Sequence, residues 1–381
     1  MRSWRGYGVV LAAALLGGGW LACSGGEDTA VSSTTSGTGG GSSTSAGDGG
    51  LLFDGGQGGA GGGHEGCDPQ SFTLQQAPPP EVYLVIDRSG SMNDPGATPN
   101  LTKWDEVNAA VDLALSQYED TIWFGLLTYP TGEECDTSGP QVAVAPSNRL
   151  GVMSELSTAV PAGGTPTAAA LNNAAASLTD LGDPASPKYV VLATDGGPNC
   201  NYFLSASPDC SCTYAQPAHC CTNHPGQCFF GSACLDDQHT LDVITDLRQN
   251  LGIATFVIGL EGTAEYVDLL NAMAVAGGQP QQGGTTDYYA AADQGQLLAA
   301  LQAIAVSVIS CQIELEVAPE YPDEVTVFLD GEEIPRDETK TNGWDYTDDT
   351  HLTIELYGTY CDKLQDGEEH QLTATFECIV R

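Results

Sequence analysis

Three short segments of this chain carry oxygen-rich side chains of the kind that hold a hard cation. Asp87-Arg88-Ser89-Gly90-Ser91 offers a carboxylate and two hydroxyls at alternate positions. Gly163-Gly164-Thr165-Pro166-Thr167 offers hydroxyls behind a pair of glycines, and Asp195-Gly196-Gly197 offers a second carboxylate. Mg²⁺ takes about six oxygen ligands in near-octahedral geometry and readily keeps some of them as water. Hydroxyls would supply neutral oxygens to such an ion and the aspartates would supply charge. Each segment also has a plainer use. Asp87 could simply end a strand, Ser-Gly-Ser is common in turns, Thr165 could only cap a helix, and Asp195-Gly196 could only turn the chain. Joint meaning requires elements that bring the three to one place.

The hydrophobic pattern supplies such elements. Glu81–Asp87 (EVYLVID), Thr121–Thr128 (TIWFGLLT), Lys188–Thr194 (KYVVLAT) and Ile253–Gly259 (IATFVIG) are apolar runs rich in β-formers, as buried strands are. Gln141–Ala145 reads as a short edge strand, and another short strand is expected around Asp287–Tyr289. Helical spacing runs through Trp104, Val107, Val111, Leu115 and Tyr118, with Thr102 and Asp105 placed to cap it. Further helices are expected at Ser147–Ala159, Thr165–Leu181 (Thr165 as cap, Pro166 in the first turn), Asp237–Asn250, Ala264–Ala276 and Gln294–Ile309. Strands alternating with helices imply an α/β fold with a doubly wound, mostly parallel sheet. After Cys311 the pattern changes to Gln312–Val317, Glu324–Leu329, His351–Tyr357 and Gln371–Glu377, separated by turns such as Asp330-Gly331 and Asn342-Gly343. That predicts a small antiparallel β-module over 311–381. Ligands of an open α/β sheet gather beyond the carboxyl ends of its strands. Asp87 and Asp195 stand at two such ends.

DxSGS, GGTPT and TDGG, in this order on these elements, resemble the von Willebrand factor A family and its metal-ion-dependent adhesion site. The resemblance covers about Glu81 to Ile309 and includes Ile253–Gly259 and the Leu270-Asn271…Gly277-Gly278 region. It implies a Rossmann-like domain in which Asp87, Ser89, Ser91, Thr165 and Asp195 hold Mg²⁺, with Mn²⁺ or Ca²⁺ as alternatives. In the family the hydroxyls bind directly, the aspartates bind directly or through water, and one position stays open. Little direct carboxylate charge leaves the metal electrophilic. The implied partner is a protein ligand with an accessible Asp or Glu.

Composition narrows the setting. With 11 basic and 50 acidic residues and a formal net charge of −39, the chain lacks the cations that displace counterions from nucleic acid, and an anionic membrane surface would repel it. Arg2 and Arg5 precede an apolar run from Val9 to Ala22, too short to span a bilayer stably, as in a secretory signal. The ending Trp20-Leu21-Ala22-Cys23 resembles a bacterial lipoprotein signal, departing from it at Trp20, and implies that Cys23 is lipidated; ordinary cleavage that discards Cys23 is the alternative. Residues 24–66 are Gly-, Ser- and Thr-rich with almost nothing to bury, a tether between that anchor and a domain over 67–310. An exported chain anchored by lipid to the cell envelope, at the outer membrane or cell surface, is the expected localisation.

Of 13 cysteines, 12 remain without Cys23, an even number that suits disulfides in an exported chain. Seven crowd an insertion at 198–236: Cys200, Cys210, Cys212, Cys220, Cys221, Cys228 and Cys234. His219, His224 and His239 lie among or just beyond them, so zinc is the rival reading, but no standard C-x-x-C pair recurs. Cys135 is expected to join this cluster, because its loop also leaves the sheet at the metal-bearing edge. Nine cysteines from Cys67 to Cys234 and three from Cys311 to Cys378 require an odd number of crossing bridges. Some von Willebrand A domains join their two ends by a disulfide, so the resemblance implies Cys67–Cys311, which would restrain the last helix. Cys361 and Cys378 would then pair with each other.

Three functions compete. A binding module for a protein ligand, used in adhesion or surface assembly, uses every feature above. A structural envelope protein whose metal only stabilises the fold is the alternative. A hydrolase lacks its residues: the sequence has no HExxH or GxSxG, and all six histidines lie outside the three oxygen-rich segments.

Overall fold

A computed structural model describes residues 70–376, apart from 77, 133, 205–206, 208, 214–230 and 316. The elements in chain order begin with β1 (Gln70–Thr73), β2 (Gln75–Gln76), β3 (Glu81–Asp87), α1 (Lys103–Tyr118), β4 (Trp123–Tyr129) and β5 (Val142–Ala145). They continue with α2 (Arg149–Thr158), α3 (Thr167–Leu181), β6 (Lys188–Thr194), α4 (Asp237–Leu251), β7 (Ala254–Leu260), α5 (Val267–Gly277), β8 (Tyr289–Ala291) and α6 (Gln294–Val308). The last group is β9 (Gln312–Glu314), β10 (Val325–Leu329), β11 (Glu332–Ile334), β12 (Gly343–Tyr346), β13 (Thr353–Tyr357), α7 (Thr359–Leu364) and β14 (Leu372–Phe376).

The six-stranded central sheet has the order β5-β4-β3-β6-β7-β8. All neighbours are parallel except β5, which pairs antiparallel at the edge. The expected doubly wound sheet is therefore present. Its strands alternate sides with period two. Val82, Leu84 and Ile86 of β3 pack with the apolar faces of α1, α2 and α6. Tyr83 and Val85 pack with α3, α4 and α5 on the opposite face. The chain leaves β3 for β4 on one side and later returns to β6 on the other, so the carboxyl end of β3 is the topological switch point, where such sheets place their ligands.

Local chemistry explains the helix starts. Thr102 and Asp105 form a reciprocal capping box at α1, as their spacing predicts. Thr165 does not cap α3. That helix begins at Thr167 behind Pro166, with no side-chain cap, so the Thr165 hydroxyl is not consumed there.

The antiparallel module is a sandwich of two four-stranded sheets, β1-β14-β10-β11 and β12-β13-β9-β2, around Ile313, Val327, Trp344, Ile354 and Leu372. It takes in more chain than expected. β1 and β2 pair with β14 and β9, so residues 70–76 belong to the sandwich rather than to the α/β layer. β11 and β12 are also additions. The expected bridge Cys67–Cys311 is not made: Cys311 pairs with Cys361, which also rules out Cys361–Cys378. The physical reason is β9. It leads directly out of α6 into the sheet with β13, whose end continues into α7, and this brings Cys361 on α7 next to Cys311. Cys67 and Cys378 themselves lie outside the described residues, as do Cys23 and the segments read as signal and tether.

Candidate metal centre

The oxygen-rich segments meet at the switch point. Asp87 ends β3 and is fully buried, Asp195 follows β6 and is 4% exposed, and Ser89 is 2% exposed. Ser91 is exposed, so the group opens to solvent on its side. Four of the five expected residues form one polar array. The Ser89 amide donates to Asp87 Oδ1 at 2.8 Å, the Ser89 and Ser91 hydroxyls stand 3.1 Å apart, and Ser91 Oγ donates to Asp195 Oδ1 at 2.9 Å. The other Asp87 oxygen accepts from Thr194 Oγ1 at 2.8 Å.

Thr165 joins through the backbone. Its loop is tied to the first segment by the Gly90 amide, which donates to the Gly163 carbonyl at 3.0 Å. Gly163 has φ +85°, and a Cβ there would stand 2.6 Å from the Glu134 carbonyl oxygen, so the position requires glycine. Thr165 is 5% exposed. Its amide donates to Asn199 Oδ1 at 2.6 Å, and its carbonyl accepts from the Asn199 amide at 2.9 Å.

The donor set suits a hard divalent cation. Burial first, and the neighbouring Asp195 charge second, push the Asp87 carboxyl up to about 7. Such a pair of acids, one wholly enclosed, is the arrangement a cation relieves. The same enclosure, with Asp87 beside it, raises the Tyr129 phenol well above its ordinary value. Among the described residues no cluster of three or more His, Cys, Asp or Glu side chains could hold a metal. The site here has two carboxylates only, and its remaining oxygens are hydroxyls.

Sequence reasoning missed three partners. Thr194 and Asn199 are small polar residues of types that usually serve turns. Lys103 donates from Nζ to Asp195 Oδ2 at 2.8 Å. A lysine as first residue of a helix opposes the helix dipole, and that was the available signal.

The insertion leaves β6 beside this site. Cys135 does join its cluster, bonded to Cys200, and Cys210 is bonded to Cys234. Cys212 is also disulfide-bonded. Disulfides, not zinc thiolates, thus engage each of these five. His239 faces Asp236 at 3.0 Å. Cys220, Cys221, Cys228, His219 and His224 lie outside the described residues.

One comparison with known proteins, a family model, agrees with the layout. Residues 82–198 match the family model of the von Willebrand factor type A domain. A comparison with curated proteins finds no match. Among solved structures, the pilus adhesin SpaC from Lactobacillus rhamnosus GG aligns at 15% identity and TM-score 0.45, over 81% of this chain and 40% of that one. The chain thus spans well under half the length of SpaC. The vWF domain of the type V pili tip protein Mfa5 from Porphyromonas gingivalis aligns at 14% identity and TM-score 0.42, over 62% of this chain and 97% of that one. Manganese-loaded TRAP protein from Plasmodium vivax aligns at 16% identity and TM-score 0.40, over 76% and 96%. The matched segment runs from β3 to just beyond β6 and contains all five expected site residues, and this part of the α/β layer is what matches the von Willebrand factor type A domain.

Proposed function

We propose that this chain is an exported, non-enzymatic binding protein. Its von Willebrand A domain would hold Mg²⁺ through Asp87, Ser89, Ser91, Thr165 and Asp195 and use it to bind an Asp or Glu side chain of a protein ligand, in adhesion or surface assembly. The observation that carries the reading is the polar array at the switch point: a fully buried aspartate, a second aspartate, and hydroxyls between them, open at Ser91. When bound, the metal supplies a Lewis-acidic centre for an incoming carboxylate. The protein's part is to hold the oxygens in place and to keep Asp87 from water. No described histidine belongs to the array, and its one acid raised towards neutrality, Asp87, is fully buried with both oxygens engaged by the Ser89 amide and the Thr194 hydroxyl.

The bridges Cys135–Cys200, Cys210–Cys234 and Cys311–Cys361 support an oxidising compartment and hence export. Among the described residues no helix is long and apolar enough to cross a membrane. Attachment through lipidated Cys23 is part of the proposal and rests on the Leu21-Ala22-Cys23 ending.

The test has two arms. Calorimetry with Mg²⁺ on the wild type and on Asp87→Ala should show uptake by the first and none by the second; equal uptake would remove the site assignment. A pull-down from the cell-surface fraction with and without EDTA should then yield a partner that EDTA releases. If chelation instead lowers the melting temperature strongly and leaves binding intact, the metal is structural.

A further inference from the structure

The metal site contains a cation of its own. Lys103 is the first residue of α1, and its side chain is 10% exposed. Its ammonium makes an ion pair with Asp195 Oδ2, and the Asp195 side chain is wholly buried. Lys103 also lines a small cavity with Glu106, Glu261 and Asp293, and its ammonium pairs with Asp195. With Ser91 donating to Oδ1 and Lys103 to Oδ2, each oxygen of Asp195 has a donor from the protein.

An enclosed carboxylate without a counter-charge is costly, and two such groups side by side are worse. Lys103 offsets part of that cost while no metal is bound. The same positive charge repels a divalent ion at the neighbouring oxygens. In so poorly solvated a place that repulsion is weakly screened. We propose that Lys103 is a resident counter-ion of the metal site, balancing Asp195 in the metal-free domain and lowering metal affinity, so that the site loads and empties with the surrounding divalent concentration without unfolding. This rests on the metal reading above and adds to it a means of regulation: ligand binding would be gated by external Mg²⁺ or Ca²⁺.

The test uses Lys103→Gln, which keeps a hydrogen-bond donor without the charge, alongside Lys103→Met and Lys103→Arg. Mg²⁺ affinity is measured by calorimetry, and melting temperature is measured in EDTA and in saturating Mg²⁺. Lys103→Gln and Lys103→Met should bind Mg²⁺ at least about tenfold more tightly than the wild type. Both should melt lower in EDTA, with a wider gap between EDTA and Mg²⁺, and Lys103→Arg should resemble the wild type. Variants that fold only when Mg²⁺ is added would also support the inference. Affinity equal to or weaker than wild type in both uncharged variants would overturn it, because the lysine would then only position Asp195. A failure of both to fold in either condition would overturn it too. A wild type that takes up no Mg²⁺ is a different outcome, which removes the metal reading itself.

Discussion

Replacing Cys135 and Cys200 by alanine should damage both the fold and the proposed metal site, and by separable amounts. The bridge closes a segment of 65 residues that contains β5, α2, α3 and β6. Opening it returns loop entropy to the unfolded chain worth about 4 kcal/mol in the chain-entropy model. For a domain of this size that lowers the melting temperature by roughly 10 °C. The second effect is local. The Thr165 loop is gripped from two sides: the Gly164 amide donates to the Glu134 carbonyl at 2.7 Å, and Asn199 holds the Thr165 amide and carbonyl at 2.6 and 2.9 Å. Glu134 and Asn199 each neighbour one half of the bridge. The sulfur also packs under the loop, where a Cβ on Gly164 would stand 2.9 Å from Cys200 Sγ. Removing the bridge frees the two jaws to separate, and a loss of about 1.4 kcal/mol in ligand placement is a tenfold weaker Mg²⁺ affinity. Melting in EDTA reads the first effect and calorimetry at a temperature where the variant is folded reads the second. Cys311→Ala with Cys361→Ala is the control, since that bridge closes a comparable 50 residues in the sandwich. Both pairs should lose similar stability, and only the first should lose metal affinity. A Cys135/Cys200 variant with lowered melting temperature and unchanged Mg²⁺ affinity would refute the clamp.

Two further outcomes are expected. Non-reducing peptide mapping should find Cys311 linked to Cys361, with almost no free thiol in the denatured protein. Parity then makes Cys378 the crossing cysteine, and β1 pairs with β14, so Cys67 is its expected partner; a Cys378 peptide that carries a free thiol would contradict this. Stability should also fall with rising pH above about 6.5 because of His370. Burial alone would lower that imidazole, but bonds from both ring nitrogens to Asp330 (2.8 Å) and Asp366 (3.1 Å), together with their charges, outweigh it and raise it. A group raised in the folded state contributes fully below its unfolded value of 6.5 and loses that contribution as pH passes its folded value. Urea midpoints from pH 6 to 9 should therefore decline in the wild type and be flatter in His370→Gln, and parallel curves would count against the argument.

The α/β layer was legible because its strands are buried on both faces. A run such as EVYLVID leaves no doubt about burial, and its ending in Asp87 marks the ligand edge. The oxygen-rich segments were legible because each follows or precedes such an element directly. Lys103 was not, because its partner lies 92 residues away and its one local mark, a cation in the first turn of a helix, names no partner. The sandwich was only partly legible. β11 (EEI) buries one residue of three, and β1 and β2 (QSFT and QQ) are short and mostly polar, so none has a readable period. Cysteine pairing is harder still. Counting constrains it, but the choice between Cys67 and Cys361 for Cys311 depends on strand register, which a cysteine count does not contain.

The corrected pairing changes how the domain is restrained. Cys67–Cys311 would have closed a loop worth over 5 kcal/mol by the same entropy model. Cys311–Cys361 closes 50 residues, still worth about 4 kcal/mol, because the cost of closure grows only with the logarithm of length. Little stability is lost by the exchange, but the tie goes elsewhere. The end of α6 is now bound to the sandwich, where Gln365 Nε2 also donates to the Ile309 carbonyl at 2.9 Å. The same loop meets the end of α1, with Gln117 Nε2 donating to the Asp366 carbonyl at 3.3 Å. Helix α1 therefore has one end in the polar array at the switch point, through Lys103, and the other against the sandwich. An axial shift of α1 or α6 would have to break these contacts, so the sandwich, built from both flanks of the α/β layer, does the restraining expected of a bridge between those flanks.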